Sequence, residues 1–285
     1  MIKIINYFIQ SIIIYIFLII GRIIGLNLGR KLFSFLFCVI GPLFKSKKII
    51  KKNLKIFSQS ASNINEKQII KNMWKNYGMT FIEYVFLDYF LKNNSIVITD
   101  DKSNLSRIIS EKDPVIFVSG HFANFELMSM EITKRNIPLA TIYRPLNNFL
   151  LNPFMEYIRK RYVCRNQIQK GLRGVRDIVH YINKKNSIAL MIDQRVSEGE
   201  KIDLFGEPAF TTTLPAKLSI KHKLDIVPVY IERKKDNSFK IEFQKRIQPK
   251  NFKNKIELTK ELNRVLEKLI TKNPSQWIWT HNRWK

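Results

Sequence analysis

The chain has 285 residues, 45% of them apolar and 12% aromatic, enough for a sizeable core and too many for a disordered chain. Lys and Arg number 49 against 23 Asp and Glu, a net charge of +26 that draws the chain towards nucleic acid, an anionic membrane face or acidic substrates, unless the Lys follow the same bias that enriches Ile and Asn. Cys38 and Cys164 make neither a disulfide framework nor a C-x-x-C pair and read as free thiols in a reducing compartment.

Ile4 to Ile20 carries no charge over roughly 17 positions, the lower limit for crossing a hydrocarbon core. Lys3 is a poor basic start and Gly21-Arg22-Ile23 a poor cleavage site, so this is an uncleaved anchor rather than a signal peptide. Arg22, Arg30, Lys31, Lys45, Lys47 and Lys48 follow it, which places the rest of the chain in the cytoplasm. Leu32 to Phe44, with Gly41-Pro42 inside, is too short to span comfortably; it is an interfacial or re-entrant segment or a core helix. The basic run Lys45 to Lys55 suits anionic headgroups, at about 1 kcal/mol per basic residue near the surface, or is a solvated helix face. Residues 1–44 are therefore read as anchor and interfacial segment, and 45–285 as one domain.

Helical periodicity runs through 65–92, with Ile69, Ile70, Met73, Trp74 and Tyr77 at three- and four-residue spacing. Short apolar runs follow at Ser95–Thr99, Pro114–Ser119, Leu139–Tyr143, Ile188–Ile192 and Ile226–Ile231, and suit strands buried on both faces. Helical stretches lie between them, at about 123–135, 149–162, 171–184 and 213–222. This alternation predicts an α/β fold with a mostly parallel central sheet flanked by helices. Phe239–Phe243 alternates and reads as an antiparallel strand, and 256–272 as a closing amphipathic helix. No internal repeat is present.

Val115–Ser119 runs into Gly120-His121-Phe122-Ala123-Asn124-Phe125-Glu126, at the carboxyl end of a strand, where α/β sheets bind ligands. On a regular helix His121 and Glu126 would be roughly 140° apart. With His121 in the turn before the helix, Glu126 can reach its ring and make it a general base of fixed tautomer. There is no G-x-S-x-G elbow, so the substrate supplies the nucleophile, as a hydroxyl would. The alternative is a histidine that packs rather than reacts. His180, His222 and His281 form no metal-ligand spacing, so no metal is expected.

Gly120-His121-x4-Glu126 resembles the H-x4-D/E motif of membrane glycerolipid acyltransferases. The wider pattern resembles the late acyltransferases of lipid A biosynthesis, the lauroyl/myristoyl transferase family. Its blocks appear in order: GHFANFE, Arg144-Pro145-Leu146-Asn147-Asn148, Lys170-Gly171-Leu172-Arg173-Gly174, Asp193-Gln194, Phe205-Gly206 with Thr211-Thr212-Thr213, Val227-Pro228 to Arg233, and Pro274 to Trp284. Ala123, Phe125 and Phe149 depart from the usual glycine, tryptophan and proline.

The resemblance implies a glycerol-3-phosphate-acyltransferase-like fold, with His121 and Glu126 catalytic and Arg144, Asn148, Arg173, Asp193, Gln194 and Arg233 contacting substrate. It implies an acyl carrier protein thioester as donor and no separate cofactor. The acceptor would be the hydroxyl of a 3-hydroxyacyl chain on an anionic, Kdo-bearing lipid A precursor. The place would be the bacterial inner membrane, held by a single-pass or peripheral anchor, with the catalytic domain on the cytoplasmic side. Residue by residue, other roles stay open: a structural salt bridge for Arg144, Arg173, Arg233 or Arg283, a helix cap for Asn148, and for Asp193 either a strand-end turn or a partner that orients a basic residue. Trp277, Trp279 and Trp284 read as packing or interfacial anchors. Competing functions are an acyltransferase of the same superfamily acting on a glycerolipid or a phosphatidylinositol mannoside, and a membrane-tethered nucleic-acid binder. For the last there is no helix-turn-helix, zinc finger or RNP-type signature, so no nucleic acid is expected.

Overall fold

The computed structural model describes residues 2–44, 46–61, 64–93, 96–100 and 104–285. In chain order the elements are α1 (Ile2–Ile24), α2 (Leu26–Phe44), α3 (Lys47–Ser60), α4 (Glu66–Glu83), α5 (Leu87–Lys92), β1 (Ile96–Asp100), α6 (Asn104–Glu111), β2 (Ile116–Ser119), α7 (Glu126–Lys134), β3 (Leu139–Tyr143) and α8 (Asn152–Ile158). Then come β4 (Asn166–Gln169), α9 (Leu172–Asn183), β5 (Ser187–Met191), β6 (Glu200–Leu204), β7 (Glu207–Thr211), α10 (Leu214–His222), β8 (Ile226–Arg233), β9 (Phe239–Phe243) and α11 (Lys255–Lys272). Ser95 of the first expected strand and Lys45 of the basic run lie outside the described residues.

A sheet ordered β1-β9-β8-β2-β5-β3-β4 forms the centre. Every pairing in it is parallel except β8 with β9. The runs of Ile, Val and Phe in β2, β5 and β8 are buried along their length, as strands covered by helices on both faces must be. Phe239–Phe243 is the antiparallel strand that its alternation predicts. Two features escape the pattern. β4 is short and polar, and β6–β7 is a separate hairpin. Phe205 and Gly206, with φ of 55° and 74°, make the two-residue turn that matches hairpin twist.

α1 and α2 are each long and apolar enough to cross a membrane by length and composition. Both are nevertheless packed onto the body of the protein. α2 lies against α4, and Gly78 permits the close approach: a Cβ there would sit 2.0 Å from the carbonyl oxygen of Phe33. Residues 32–43 form part of α2, with Phe33 and Gly41 buried and Leu32, Phe35, Val39 and Leu43 exposed. α1 is docked along one face. Ser11 donates to Asn148 Oδ1 at 3.2 Å, Tyr15 to the Leu150 carbonyl at 2.9 Å, and Arg22 pairs with Asp88 at 2.9 Å. Its opposite face exposes Ile4, Phe8, Ile12, Ile16 and Ile19.

One buried carboxylate ties these layers together. Glu83, at the end of α4 and fully buried, accepts from Arg30 of α2 at 2.7 Å, from Arg233 of β8 at 2.9 Å, and from Asn124 of the β2–α7 turn at 3.0 Å. Burial pushes the Glu83 pKa up, but the two guanidiniums outweigh it and hold the carboxyl below its usual range. This corrects the expectation that Arg233 contacts substrate. Its guanidinium is spent on Glu83, Asn76 and Thr80, because a buried strand end beside a buried carboxylate demands a counter-charge.

Removing one partner of such a cluster leaves a charge buried and uncompensated. Glu83→Ala is therefore expected to lose about 3–5 kcal/mol of stability, read as a lowered denaturant midpoint in detergent.

Candidate active site

β2 delivers the chain to the site. Ser119 Oγ anchors its end by donating to the Val229 carbonyl at 2.7 Å. The chain then turns tightly, with the Phe122 N–H donating to the Gly120 carbonyl at 2.8 Å, before α7 starts at Glu126. Ala123 sits in this turn with φ of 45°, the left-handed region that favours glycine. Its backbone is clamped on both sides: its N–H donates to the Gln276 carbonyl at 3.0 Å and its carbonyl accepts from Thr80 Oγ1 at 3.1 Å.

His121 thus lies in the turn before the helix, as the sequence predicts, but its partner is not Glu126. The ring Nδ1 is 2.7 Å from Asp193 Oδ1, and the His121 backbone N–H donates to Asp193 Oδ2, also at 2.7 Å. The reason is sheet register. β2 and β5 are parallel neighbours with Ser119 opposite Met191, so the residues two further along each strand emerge side by side. Trp277 Nε1 adds a third donor to Asp193, at 2.9 Å. Burial raises the Asp193 pKa, but His121 and Trp277 together hold the carboxyl below its usual range. A carboxylate only accepts, so Nδ1 carries the proton and Nε2 is the free base. The Gln194 amide lies 3.5 Å from that Nε2.

Glu126 points elsewhere. Its Oε1 accepts from Tyr84 at 2.9 Å and from Arg159 Nε and Nη2 at 2.8 and 2.6 Å. Arg159 opens a single π-helical turn, Arg159–Val163, that continues α8. The start of α7 faces that turn and not the His121 ring, which defeats the expected pairing.

His121 and Glu126 do share a cavity of ≈ 780 Å³, within the size range of ligand pockets. Arg144, Arg159, Lys170, Gln194 and His281 contribute polar lining; Ile14 and Leu18 of α1, Met128, Phe154 and Leu214 contribute apolar lining. Arg144 is exposed, with no hydrogen bond or ion pair among the described residues. Asp193 lies behind His121 and acts on the ring. Asn148, expected to contact substrate, instead donates to the Tyr7 carbonyl at 3.0 Å and accepts from Ser11 and the Leu150 N–H; its amide is consumed in docking α1. Arg173 is exposed on the first turn of α9 and does not line the cavity. The sequence assigns Tyr84, Arg159, Lys170, Arg195 and His281 no role in the site. Only Lys170 and His281 stand inside a recognisable block; Tyr84, Arg159 and Arg195 carry no local signal.

A sequence model of the family described as bacterial lipid A biosynthesis acyltransferase matches residues 2–285. The chain is 27% identical over 259 residues to the lipid A biosynthesis palmitoleoyltransferase of Escherichia coli (strain K12), covering 86% of this chain and 80% of that protein. The lipid A biosynthesis acyltransferase of Shigella flexneri matches at the same identity and extent. Among solved structures, the 1-acyl-sn-glycerophosphate (LPA) acyltransferase PlsC from Thermotoga maritima is 14% identical, with a TM-score of 0.44, over 89% of this chain and 100% of its own.

Asp193 makes a pH-dependent contribution whose sign is fixed by its lowered pKa. Its stabilisation is present above the ordinary value of 3.8 and is lost as pH falls through the lower folded value. Asp193→Asn cannot titrate, so its denaturant midpoint should fall less than the wild type's between neutral pH and pH values below about 4. Parallel acid limbs would show that Asp193 is not held as described.

Proposed function

The chain belongs to the bacterial lipid A biosynthesis acyltransferase family, and from that premise we propose that it moves a fatty acyl group from an acyl carrier protein thioester to a hydroxyl of an anionic lipid A precursor. The observation that carries the reading is the imidazole of His121, backed by buried Asp193 and opening on a cavity lined by both charged and apolar side chains.

In this mechanism His121 Nε2 takes the proton of the acceptor hydroxyl as its oxygen attacks the thioester carbonyl carbon. Asp193 keeps the ring in the productive tautomer and stabilises the imidazolium that forms. The imidazolium then returns its proton to the departing thiolate. Glu126 does not touch the ring. It holds Arg159 and Tyr84 in the cavity wall, and so positions a guanidinium rather than the base. Arg144 at the rim and Lys170 in the wall supply cationic groups for the phosphates or carboxylates of the acceptor. Besides meeting an anionic lipid, the basic surface suits an acidic carrier protein, whose approach it would steer.

The reading extends to location. The exposed apolar faces of α1 and α2 support attachment to a bilayer, here taken as the cytoplasmic face of the bacterial inner membrane. The contacts of α1 from Tyr7 to Arg22 with the body of the protein favour a peripheral seat over a free-standing span.

Purified protein offered a panel of acyl carrier protein thioesters and lipid A precursors, with products read by mass spectrometry, tests the assignment. His121→Ala takes the ring donor from Asp193 Oδ1, so it should fold with a lowered thermal midpoint and lose at least about 10²–10⁴ in kcat, and Asp193→Asn should lose a comparable factor of about 10⁴. Turnover of the His121→Ala protein at the wild-type rate would reject the mechanism.

A further inference from the structure

The turn that follows β5 orients two imidazoles, not one. Asp193 holds His121, and two residues later the Arg195 backbone N–H donates to His281 Nε2 at 2.8 Å. His281 comes from the far end of the chain, just after Trp277 and Trp279, both fully buried. It lines the same cavity as His121.

An imidazole nitrogen that accepts from a backbone N–H cannot carry a proton. The neutral ring must therefore carry its hydrogen on Nδ1. That atom has no hydrogen-bond partner among the described residues. The surroundings keep the ring neutral. Burial is the main effect lowering its pKa; Asp193 works in the opposite sense, while Arg283, His121 and Arg195 add to the lowering. Arg283 is itself buried without an ion-paired carboxylate among the described residues. It donates to the Phe210 carbonyl and to Thr211 Oγ1, each at 2.7 Å, and its pKa is pushed down to about 10.

We propose that His281 is a second catalytic residue, a fixed neutral donor whose Nδ1–H hydrogen-bonds the thioester carbonyl oxygen as that oxygen becomes an oxyanion. The inference rests on the acyl-transfer reading and divides the labour of the site. His121 takes the hydroxyl proton, the new C–O bond forms, and the carbonyl π pair moves onto its oxygen beside His281. That pair then returns, the C–S bond breaks, and the thiolate leaves with the proton from His121. His281 neither gains nor loses a proton. Its part is to be already oriented where charge develops, which is the condition for large electrostatic stabilisation.

Two isosteric variants separate this role from a structural one. The amide nitrogen of His281→Asn can stand at the Nδ1 position and donate to the oxyanion, but the variant gives up the acceptor for Arg195. The amide oxygen of His281→Gln can stand at the Nε2 position and keep the Arg195 bond, but the variant offers no donor at Nδ1. Once wild-type turnover is established in the carrier-protein assay, kcat and KM of both variants are measured beside their thermal midpoints. Expected is a kcat for His281→Asn within about tenfold of wild type, and a loss of about 10²–10³ for His281→Gln, with KM little changed in either. If His281→Gln keeps the higher kcat, or the two variants fall together, the proposal is overturned. An inactive wild type would instead sink the acyl-transfer reading on which it rests.

Discussion

Asp193 is a carboxylate with no access to solvent, and the residues around His121 are arranged to satisfy it. A buried carboxylate needs donors on both oxygens, or the cost of desolvation goes unanswered. Here the backbone and ring of His121 supply two, and the indole of Trp277 the third. These donors come from a turn before a helix and from a distant C-terminal segment, and Asp193 itself from just past a strand end. The demand of one ion thus fixes three pieces of chain relative to each other. The free nitrogen of His121 is left facing the cavity, because its other nitrogen has been claimed.

A second buried carboxylate performs the same service one layer away. Glu83 binds Arg30 and Arg233, and its remaining contact is with Asn124, three residues after His121. Thr80, from the same helix, accepts from Arg233 and donates to the Ala123 carbonyl. The backbone of Ala123 is thereby held in a conformation that a side chain disfavours. The turn that presents His121 is shaped by packing against α4, not by its own residue preferences.

This explains what could be read from the chain and what could not. Strands covered on both faces announce themselves as short apolar runs, and β2, β3, β5 and β8 are legible that way, while β9 is legible by its alternation. β4 and the β6–β7 hairpin were not. Their residues are polar or alternate too briefly, and the hairpin is held by tertiary bonds such as Asn263 to the Asp203 carbonyl and Trp284 to the Leu204 carbonyl. In the site, His121 was legible because a strand ending in Gly-His is a local signal. Its partner was misjudged for the converse reason. Glu126 is near in sequence, whereas Asp193 is brought there by strand register. Motif blocks likewise mark Asn148 and Arg233 without saying whether they meet a substrate or hold the scaffold. Both turn out to hold the scaffold.

The seating of α1 has a practical consequence. Hydrophobic leaders are often trimmed away to make a lipid-handling enzyme behave in water. Here, cutting off residues 1–44 would strip Ile14 and Leu18 from the cavity wall, leave Asn148 without Ser11 and the Tyr7 carbonyl, and withdraw Arg30 from Glu83. What looks like a detachable leash is also masonry, so a shortened, water-soluble form would trade its greasy surface for a breached binding chamber.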